Sequence, residues 1–135
     1  MIKYYRELEK IVMQTNKELV KEFYDSFRNK NQDLHNFCQD EVEWITMDGM
    51  PNGGRYVGLK SVFEDYFSKM LLNFNEFHAH SSEFLEIGDD RVIVFGLYRG
   101  VSKSNKSFMV PFCHVYKLQD NKSYSLDNLL IQQKF

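Results

Sequence analysis

The feature that most constrains this fold is a change in the spacing of apolar residues about halfway along the chain. Up to about residue 76 the apolar side chains recur every three or four positions, as on one face of a helix. From about Phe77 onward they alternate with polar ones, which is typical of strands that bury one face. The sequence therefore predicts a helix-rich first half followed by a sheet, in one α+β domain.

The first half contains two amphipathic stripes, each long enough for a helix. Thr15 and Glu18 have the spacing of a capping box and introduce the first stripe, which consists of Leu19, Val20, Phe23, Tyr24 and Phe27. The second stripe comprises Leu59, Val62, Phe63, Tyr66, Phe67, Met70 and Leu71. Residues 1–15 predict an additional N-terminal helical segment, and Leu34, Phe37 and Cys38 predict a short helix between the two stripes.

Strands are predicted around these helices. A first strand, Glu41–Met47, has Val42 and Trp44 on one face and is followed by a turn over Met50–Gly54. Four further strands joined by hairpin-length turns are predicted at Phe77–Ile87, Arg91–Val101, Ser107–Leu118 and Tyr124–Gln133. Pro111 falls inside one of them, where its missing N–H predicts a bulge that bends the sheet.

Length, charge and cysteine content exclude several classes of protein. A chain of 135 residues has the size of one domain, and its net charge of −2 argues against a broad nucleic-acid-binding face. No apolar run approaches the roughly 18 residues of a membrane helix, and the charged start is unlike a signal peptide. Cys38 and Cys113 lie far apart, without zinc-ligand or disulfide-framework spacing. We therefore expect a cytoplasmic protein that binds neither nucleic acid nor membrane, and no metal or cofactor.

The aromatic content is unusual, because Phe, Tyr and Trp make up 16% of the residues. Twelve Phe, eight Tyr and one Trp in a small domain favour either a thick core or an apolar pocket.

Four stretches, in this order and spacing, carry a resemblance to a known superfamily. They are Glu22–Phe27 in the first helix, Asp40–Trp44 at the first strand, Gly54–Lys60 before the second helix, and Pro111–Leu118 in a late strand. The chain from residue 16 onward resembles the nuclear-transport-factor-2-like superfamily, and within it the SnoaL-like and ketosteroid-isomerase-like proteins. The resemblance implies a single SnoaL-like domain over residues 1–135, in which N-terminal helices cover a curved, mixed or antiparallel sheet. This is the cone-shaped, cystatin-like α+β barrel.

The same resemblance implies a deep apolar pocket between sheet and helices and a homodimer formed through the outer face of the sheet. It does not imply one chemistry, because the fold hosts isomerases, cyclases, epoxide hydrolases, dehydratases and binding proteins without activity.

Carried over residue by residue, the resemblance suggests some family roles and disfavours others. Tyr24 is similar to the tyrosine with which ketosteroid isomerase holds the substrate oxyanion. His114 stands at the position where that enzyme has a carboxylic acid beside the tyrosine. The position of the general base is apolar around Trp44, and Asp48 comes three residues late. Without that base, steroid isomerisation is disfavoured. Epoxide hydrolysis is disfavoured too, because the positions of its Asp-Arg-Asp set hold Phe95, Leu97 and Ile131.

SnoaL-like cyclases depend on an aspartate in a late strand, and Asp127 is the residue here that approaches that role. A shift of one residue decides whether Asp127 or Asn128 faces the pocket, and the sequence leaves this open.

Two histidine features have both a structural and a functional interpretation. His114 is expected on the same strand face as Tyr116, either as a core histidine with a satisfied ring or as a group that contacts a ligand. His78 and His80 share a strand face and could bind a metal, but no further ligand follows at the required spacing. Two exposed histidines are the favoured interpretation, and no metal site is predicted.

The predicted pocket wall is aromatic, with Gly53 and Gly54 shaping the loop at its mouth. It consists of Trp44, Tyr56, Phe63, Phe67, Phe95 and Phe112.

Three functions remain open. The leading one is a SnoaL-like protein that binds a small hydrophobic molecule in an apolar pocket. The alternative is an isomerase, cyclase or dehydratase acting on a hydrophobic carbonyl compound, with Tyr24 and His114 stabilising an oxyanion or transferring a proton. The third is a dimeric protein-interaction module, because Met109, Cys113 and Val115 are expected on the outer face of the sheet.

Overall fold

The computed structural model describes residues 15–28, 37–47, 49–119 and 122–130. The predicted helical segment before residue 15, and the positions of Leu34, Asp48 and Ile131, lie outside them. In the described ranges, no helix is long and apolar enough to cross a membrane.

Helix α1 spans Asn16–Arg28 and is held at its N-terminus by two side chains. The Glu18 N–H donates to the Thr15 hydroxyl oxygen at 3.1 Å, so the Thr15 half of the predicted capping box is confirmed. The Lys17 N–H donates to Glu86 Oε1 at 3.0 Å, which ties the helix to the sheet. Val20, Phe23 and Tyr24 are buried on one side of α1, as its apolar stripe predicts.

The second predicted helix is one continuous helical segment with an unusual centre. It consists of α2 (Leu59–Ser61), a π-helix over Val62–Phe67, α3 (Ser68–Met70) and a closing 3₁₀ turn over Leu71–Asn73. The π-helix widens the coil, so that the neighbours Tyr66 and Phe67 both line the same cavity.

The sheet has six strands in the order β2-β1-β6-β5-β4-β3. All neighbours are antiparallel except β1 and β6, which run parallel, so the sheet is mixed. The strands are β1 (Cys38–Thr46), β2 (Gly54–Val57), β3 (Phe74–Ile87), β4 (Arg91–Ser102), β5 (Ser107–Gln119) and β6 (Lys122–Leu130). The helices pack against this curled sheet, which confirms the predicted α+β class.

Two strand assignments differ from the sequence prediction. Cys38, expected in a short helix, begins β1 and pairs with Ser123 of β6. Strand β2 was not predicted, because its four residues are too few to show alternation. It forms because the turn at Met50–Gly54 returns the chain to β1, with the Gly53 N–H donating to the Met50 carbonyl at 2.9 Å.

The bulge predicted at Pro111 is wrong. Pro111 pairs with Leu97 in an uninterrupted β4–β5 register. It lies one residue beyond Phe112, the last β5 residue with a described partner in β6. No described pair between β5 and β6 depends on a hydrogen bond from Pro111. The missing N–H of this proline therefore does not require a bulge.

The core lies between the helices and one face of β4 and β5. Val92, Val94 and Tyr98 alternate with less buried residues along β4. Phe112, His114 and Tyr116 do the same along β5. We call this side the inner face and the opposite side the outer face.

Candidate functional site

Four polar side chains form a connected chain on the inner face, which we call the Tyr–His chain. The Tyr24 hydroxyl is hydrogen-bonded to His114 Nδ1, and the Tyr98 hydroxyl is hydrogen-bonded to His114 Nε2 at 2.5 Å. The Tyr116 hydroxyl donates to the Tyr24 oxygen at 2.8 Å. Both ring nitrogens of His114 therefore have tyrosine partners.

Three elements bring these residues together. Tyr24 projects from the buried side of α1, and Tyr98 and His114 come from the neighbouring strands β4 and β5. His114 and Tyr116 are two residues apart in β5 and therefore share a face. Phe112 shares that face as well and stacks on the His114 ring with centroids 4.1 Å apart.

The Tyr–His chain lies beside a small cavity. All four of its residues line the cavity, and ten of the twelve lining residues carry rings. The volume of the cavity is about 40 Å³. A cavity of about 10–15 Å³ already holds one water molecule, so this cavity is real but small. The lining residues are Phe23, Tyr24, Phe27, Trp44, Tyr66, Phe67, Met70, Phe77, Ala79, Tyr98, His114 and Tyr116.

Burial sets the electrostatics of the site. Desolvation lowers the pKa of His114 from 6.5 to about 3, so its imidazole is neutral at physiological pH. Desolvation, followed by the neighbouring Tyr116, raises the pKa of Tyr24 well above its usual value. Burial raises the pKa of Tyr116 as well. The chain is thus a set of neutral hydrogen-bonding groups in an apolar surrounding.

The structure brings some of the predicted site residues to the cavity and leaves others outside it. Tyr24, His114, Trp44 and Phe67 line it. The remaining members of the predicted wall pack around the lining instead. Tyr56 contacts Tyr66 at a centroid distance of 5.2 Å, Phe63 contacts Phe67 at 6.4 Å, and Phe112 lies against His114.

Phe95 does not belong to the pocket wall, contrary to the sequence-based expectation. It alternates with the buried Val94 and Gly96 along β4 and pairs with Cys113, so it lies on the outer face. Gly96 takes the inner position and leaves room for the Phe112 ring, which a Cβ at Gly96 would approach to 2.4 Å.

The backbone register places the two late-strand candidates at different positions. Asn128 stands opposite His114 in the β5–β6 ladder, and Asp127 stands opposite Val115. Asn128 therefore occupies the ladder position next to the Tyr–His chain.

Tyr98 and Tyr116 are the functional candidates that sequence reasoning missed. Tyr116 was assigned to the face of His114 but not to the site. Tyr98 is recognisable only when β4 is aligned with β5, because it stands opposite Val110, four residues from the partner of His114. The sequence did hold one indication of its role. Tyr98 lies an even number of residues after Val92 and Val94 and therefore shares their strand face.

His78 and His80 are exposed on β3, with ring centroids 6.0 Å apart. In the described residues, no group of three or more His, Cys, Asp or Glu side chains is placed to hold a metal ion.

Comparison with known proteins gives matches at the level of three-dimensional structure. No protein-family model matches the sequence, and no curated protein is similar to it. An NTF2-like protein of unknown function from Burkholderia pseudomallei superimposes with a TM-score of 0.78 at 24% identity, covering 88% of this chain and 92% of that one. The fold is that of the nuclear-transport-factor-2-like proteins.

Two further solved structures share this fold. A putative SnoaL-like polyketide cyclase from Jannaschia sp. CCS1 has a TM-score of 0.70 at 13% identity, with 84% of this chain and 83% of that one covered. A hypothetical protein with a ketosteroid-isomerase-like fold from Catenulispora acidiphila, in complex with trimethylamine, has a TM-score of 0.69 at 16% identity, with 86% of each chain covered. The fold expected from the resemblance is confirmed.

Proposed function

We propose that this protein binds a small, neutral, mostly apolar molecule carrying one oxygen atom in the cavity beside the Tyr–His chain. The observation that carries the proposal is the combination of an aromatic lining with one connected set of neutral hydrogen-bonding groups. Apolar walls supply binding free energy, and a few placed polar groups orient the ligand.

The composition of the lining favours a neutral ligand. The described residues around the cavity include no Asp, Glu, Lys or Arg. A charged ligand would lose its hydration without gaining an opposite charge, which costs several kcal/mol. An ether, ketone or alcohol oxygen avoids that cost and finds partners in the tyrosine hydroxyls.

The volume of the cavity favours a small ligand. A cavity of ~150 Å³ holds benzene, and the free space here is about 40 Å³. A ligand as large as a five-membered ring therefore requires lining side chains to move, and the half-buried Phe27 and Phe67 are placed to do so. The complex of one structural neighbour with trimethylamine is in keeping with a ligand of this size.

The proposal is tested with cyclopentanone and cyclopentane, which share one carbon skeleton. We expect His114→Ala to weaken binding of the ketone by about 1–3 kcal/mol, because a buried polar contact is lost, and to change binding of the hydrocarbon less. Affinities are measured by NMR titration. Tyr56→Phe, which removes a hydroxyl outside the cavity lining, serves as the control and should leave both affinities unchanged.

Two outcomes contradict the proposal. One is that the wild-type protein binds the ketone no better than the hydrocarbon. The other is that His114→Ala weakens both ligands equally.

An enzymatic function is the second candidate, because the hydrogen bond between Tyr24 and His114 is an arrangement that can stabilise an oxyanion. An isomerase, cyclase or dehydratase also needs a group that accepts a proton. Burial holds the pKa of His114 at about 3, and the described lining holds no carboxylate, so binding without turnover is the better supported function.

Exchange of the α-hydrogens of cyclopentanone in D₂O separates the two candidates. Under the binding proposal we expect the exchange rate with protein to equal the buffer rate. Exchange above the buffer rate that is lost in His114→Ala would support an enzyme.

We further propose a homodimer that buries the outer face of the sheet, and the cytoplasm as its compartment. Met109 is 57% exposed there, and Val115 and Phe95 on the same face are half-buried. Large apolar side chains on an open sheet face are typical of a surface that a partner covers. For the compartment, Cys38 and Cys113 are both unpaired, as is usual in a reducing environment. Fractionation of the producing cells tests it, and recovery of the protein outside the cytoplasm would contradict it.

A further inference from the structure

The cavity has a hydrogen-bond donor that does not belong to the Tyr–His chain. Trp44 lines the cavity and is 4% exposed, so its indole N–H is shielded from bulk solvent. An indole nitrogen can only donate a hydrogen bond, and a buried tryptophan usually has an acceptor for it. In the described part of the chain, no residue accepts a hydrogen bond from this N–H.

The other polar side chains of the described lining all have partners. The four residues of the Tyr–His chain are hydrogen-bonded to one another. Tyr66 forms a side-chain hydrogen bond with Thr46. Trp44 is therefore the exception among these residues. A buried donor without an acceptor is destabilising, so native structures seldom contain one unless another molecule supplies the acceptor.

The aromatic contacts of Trp44 place it close to the Tyr–His chain. Its ring packs in T-shaped geometry against Phe67 of the π-helix, with centroids 5.3 Å apart, and against Phe23 of α1 at 6.2 Å. Phenylalanine rings supply no oxygen or nitrogen, and the face of a ring is only a weak acceptor. Phe23 also contacts Tyr116 at 6.1 Å, so the same ring contacts Trp44 and the Tyr–His chain.

We propose that Trp44 binds the ligand as a hydrogen-bond donor, with its indole N–H donating to the oxygen of the bound molecule. This inference rests on the proposed function and restricts the ligand to molecules whose polar atom accepts hydrogen bonds. A ketone oxygen has two lone pairs, so a bond from Trp44 does not compete with a bond from a tyrosine hydroxyl. A hydrocarbon of the same shape leaves the indole N–H without an acceptor.

The indole resonance tests the proposal in the wild-type protein. Trp44 is the single tryptophan of the sequence, so its N–H gives one indole signal in a ¹H–¹⁵N spectrum. A hydrogen bond to oxygen moves the indole proton downfield. We expect saturating cyclopentanone to place this signal further downfield than saturating cyclopentane does. Equal positions in the two complexes, as a water molecule retained at the N–H would give, overturn the proposal.

A pair of variants measures what the N–H contributes to affinity. Trp44→Phe keeps an aromatic ring and removes the donor. We expect it to lower the affinity for cyclopentanone relative to that for cyclopentane by about two- to tenfold, the effect of one neutral hydrogen bond. Tyr56→Phe is the matched control, because Tyr56 stands opposite Trp44 in the β1–β2 ladder and its hydroxyl donates to the Asn52 carbonyl. Its affinity ratio should equal that of the wild-type protein.

Failure of this inference is distinguishable from failure of the proposed function. If the wild-type protein prefers cyclopentanone to cyclopentane and Trp44→Phe keeps the full preference, the inference is wrong and the proposed function stands. If the wild-type protein shows no preference, the proposed function is wrong and the inference falls with it. Should Trp44→Phe not fold, the indole signal of the wild-type protein decides.

Discussion

At the scale of single residues, the most informative group is a histidine that burial keeps neutral. His114 is 6% exposed, stacks on Phe112 and has a tyrosine hydroxyl at each ring nitrogen. Its two partners satisfy the neutral ring completely, whereas a second ring proton would place a positive charge in an apolar surrounding that solvates it poorly. Because protonation is unfavourable, His114 stays a neutral hydrogen-bonding group. For the same reason the free energy of unfolding depends on pH.

We expect stability to fall on acidification in a way that depends on His114. Its pKa is about 3 in the folded chain and about 6.5 when unfolded, so its neutral form contributes stability above pH 6.5. That contribution is lost as the pH falls from about 6.5 towards 3, by up to about 1.4 kcal/mol per pH unit. Urea unfolding at pH 7, 6 and 5 measures the slope.

The variant His114→Gln lacks the titrating ring and should show a shallower pH dependence than the wild-type protein. His78→Gln, at an exposed position of β3, is the matched control and should keep the wild-type slope. Parallel pH profiles for the wild-type protein and His114→Gln would refute the assignment.

At the scale of elements, close contacts between neighbours position the site. Thr15 caps the N-terminus of α1, and the apolar stripe of that helix buries Tyr24. The π-helix turns two consecutive rings, Tyr66 and Phe67, to the cavity. Gly96 gives the Phe112 ring its space on the inner face.

Removing the helix cap should destabilise the fold moderately. Thr15→Ala deletes the oxygen that accepts from the Glu18 N–H, and we expect a loss of about 0.5–2 kcal/mol in the free energy of unfolding. Thr15→Ser keeps the hydroxyl and should stay close to the wild-type value in chemical denaturation. Equal losses in both variants would show that the cap is not the cause.

Adding one methyl group at Gly96 should have a larger effect. Its Cβ would lie 2.3 Å from the His80 carbonyl oxygen and 2.4 Å from the Phe112 ring, so backbone as well as side chain must move. Overpacking of this kind costs about 1–3 kcal/mol, and displacement of Phe112 should also disturb His114. Thermal unfolding and the histidine ¹⁵N spectrum of Gly96→Ala measure the two effects, and an unchanged melting temperature would contradict the expectation.

At the scale of the whole molecule, the sheet has two different apolar faces. The helices cover the inner face, whereas the outer face exposes Met109 on β5 and Leu85 and Ile87 on the edge strand β3. A second copy of the chain would cover the outer face, because a symmetric dimer buries the same patch on both partners.

We expect light scattering at micromolar concentration to show a dimer that a charge on the outer face weakens. Met109→Asp places a carboxylate in the proposed interface and should shift the protein to the monomer. Ser104→Asp, in the exposed turn between β4 and β5, should remain dimeric. A monomeric wild-type protein would refute the dimer.

Much of the fold could be predicted from local pattern. The stripe of α1, the turn at Met50–Gly54 and the alternation of Val42 and Trp44 in β1 all appear as expected. Each of these features depends on residues a few positions apart, so the sequence shows it directly. Residue Cys38 and strand β2 were missed because their conformations depend on partners far along the chain.

The site was less predictable, and the reason is visible in β4. Residues 92–98 are apolar on both faces, apart from Gly96, so alternation does not show which side is inward. Phe95 was assigned to the pocket and lies on the outer face, while Tyr98 was overlooked and contacts His114. The sequence by itself determined which segments are helices and strands, because propensity and periodicity are local. Only the tertiary structure decided which aromatic rings meet at His114, because strand register and helix packing are set by contacts between residues distant in the chain.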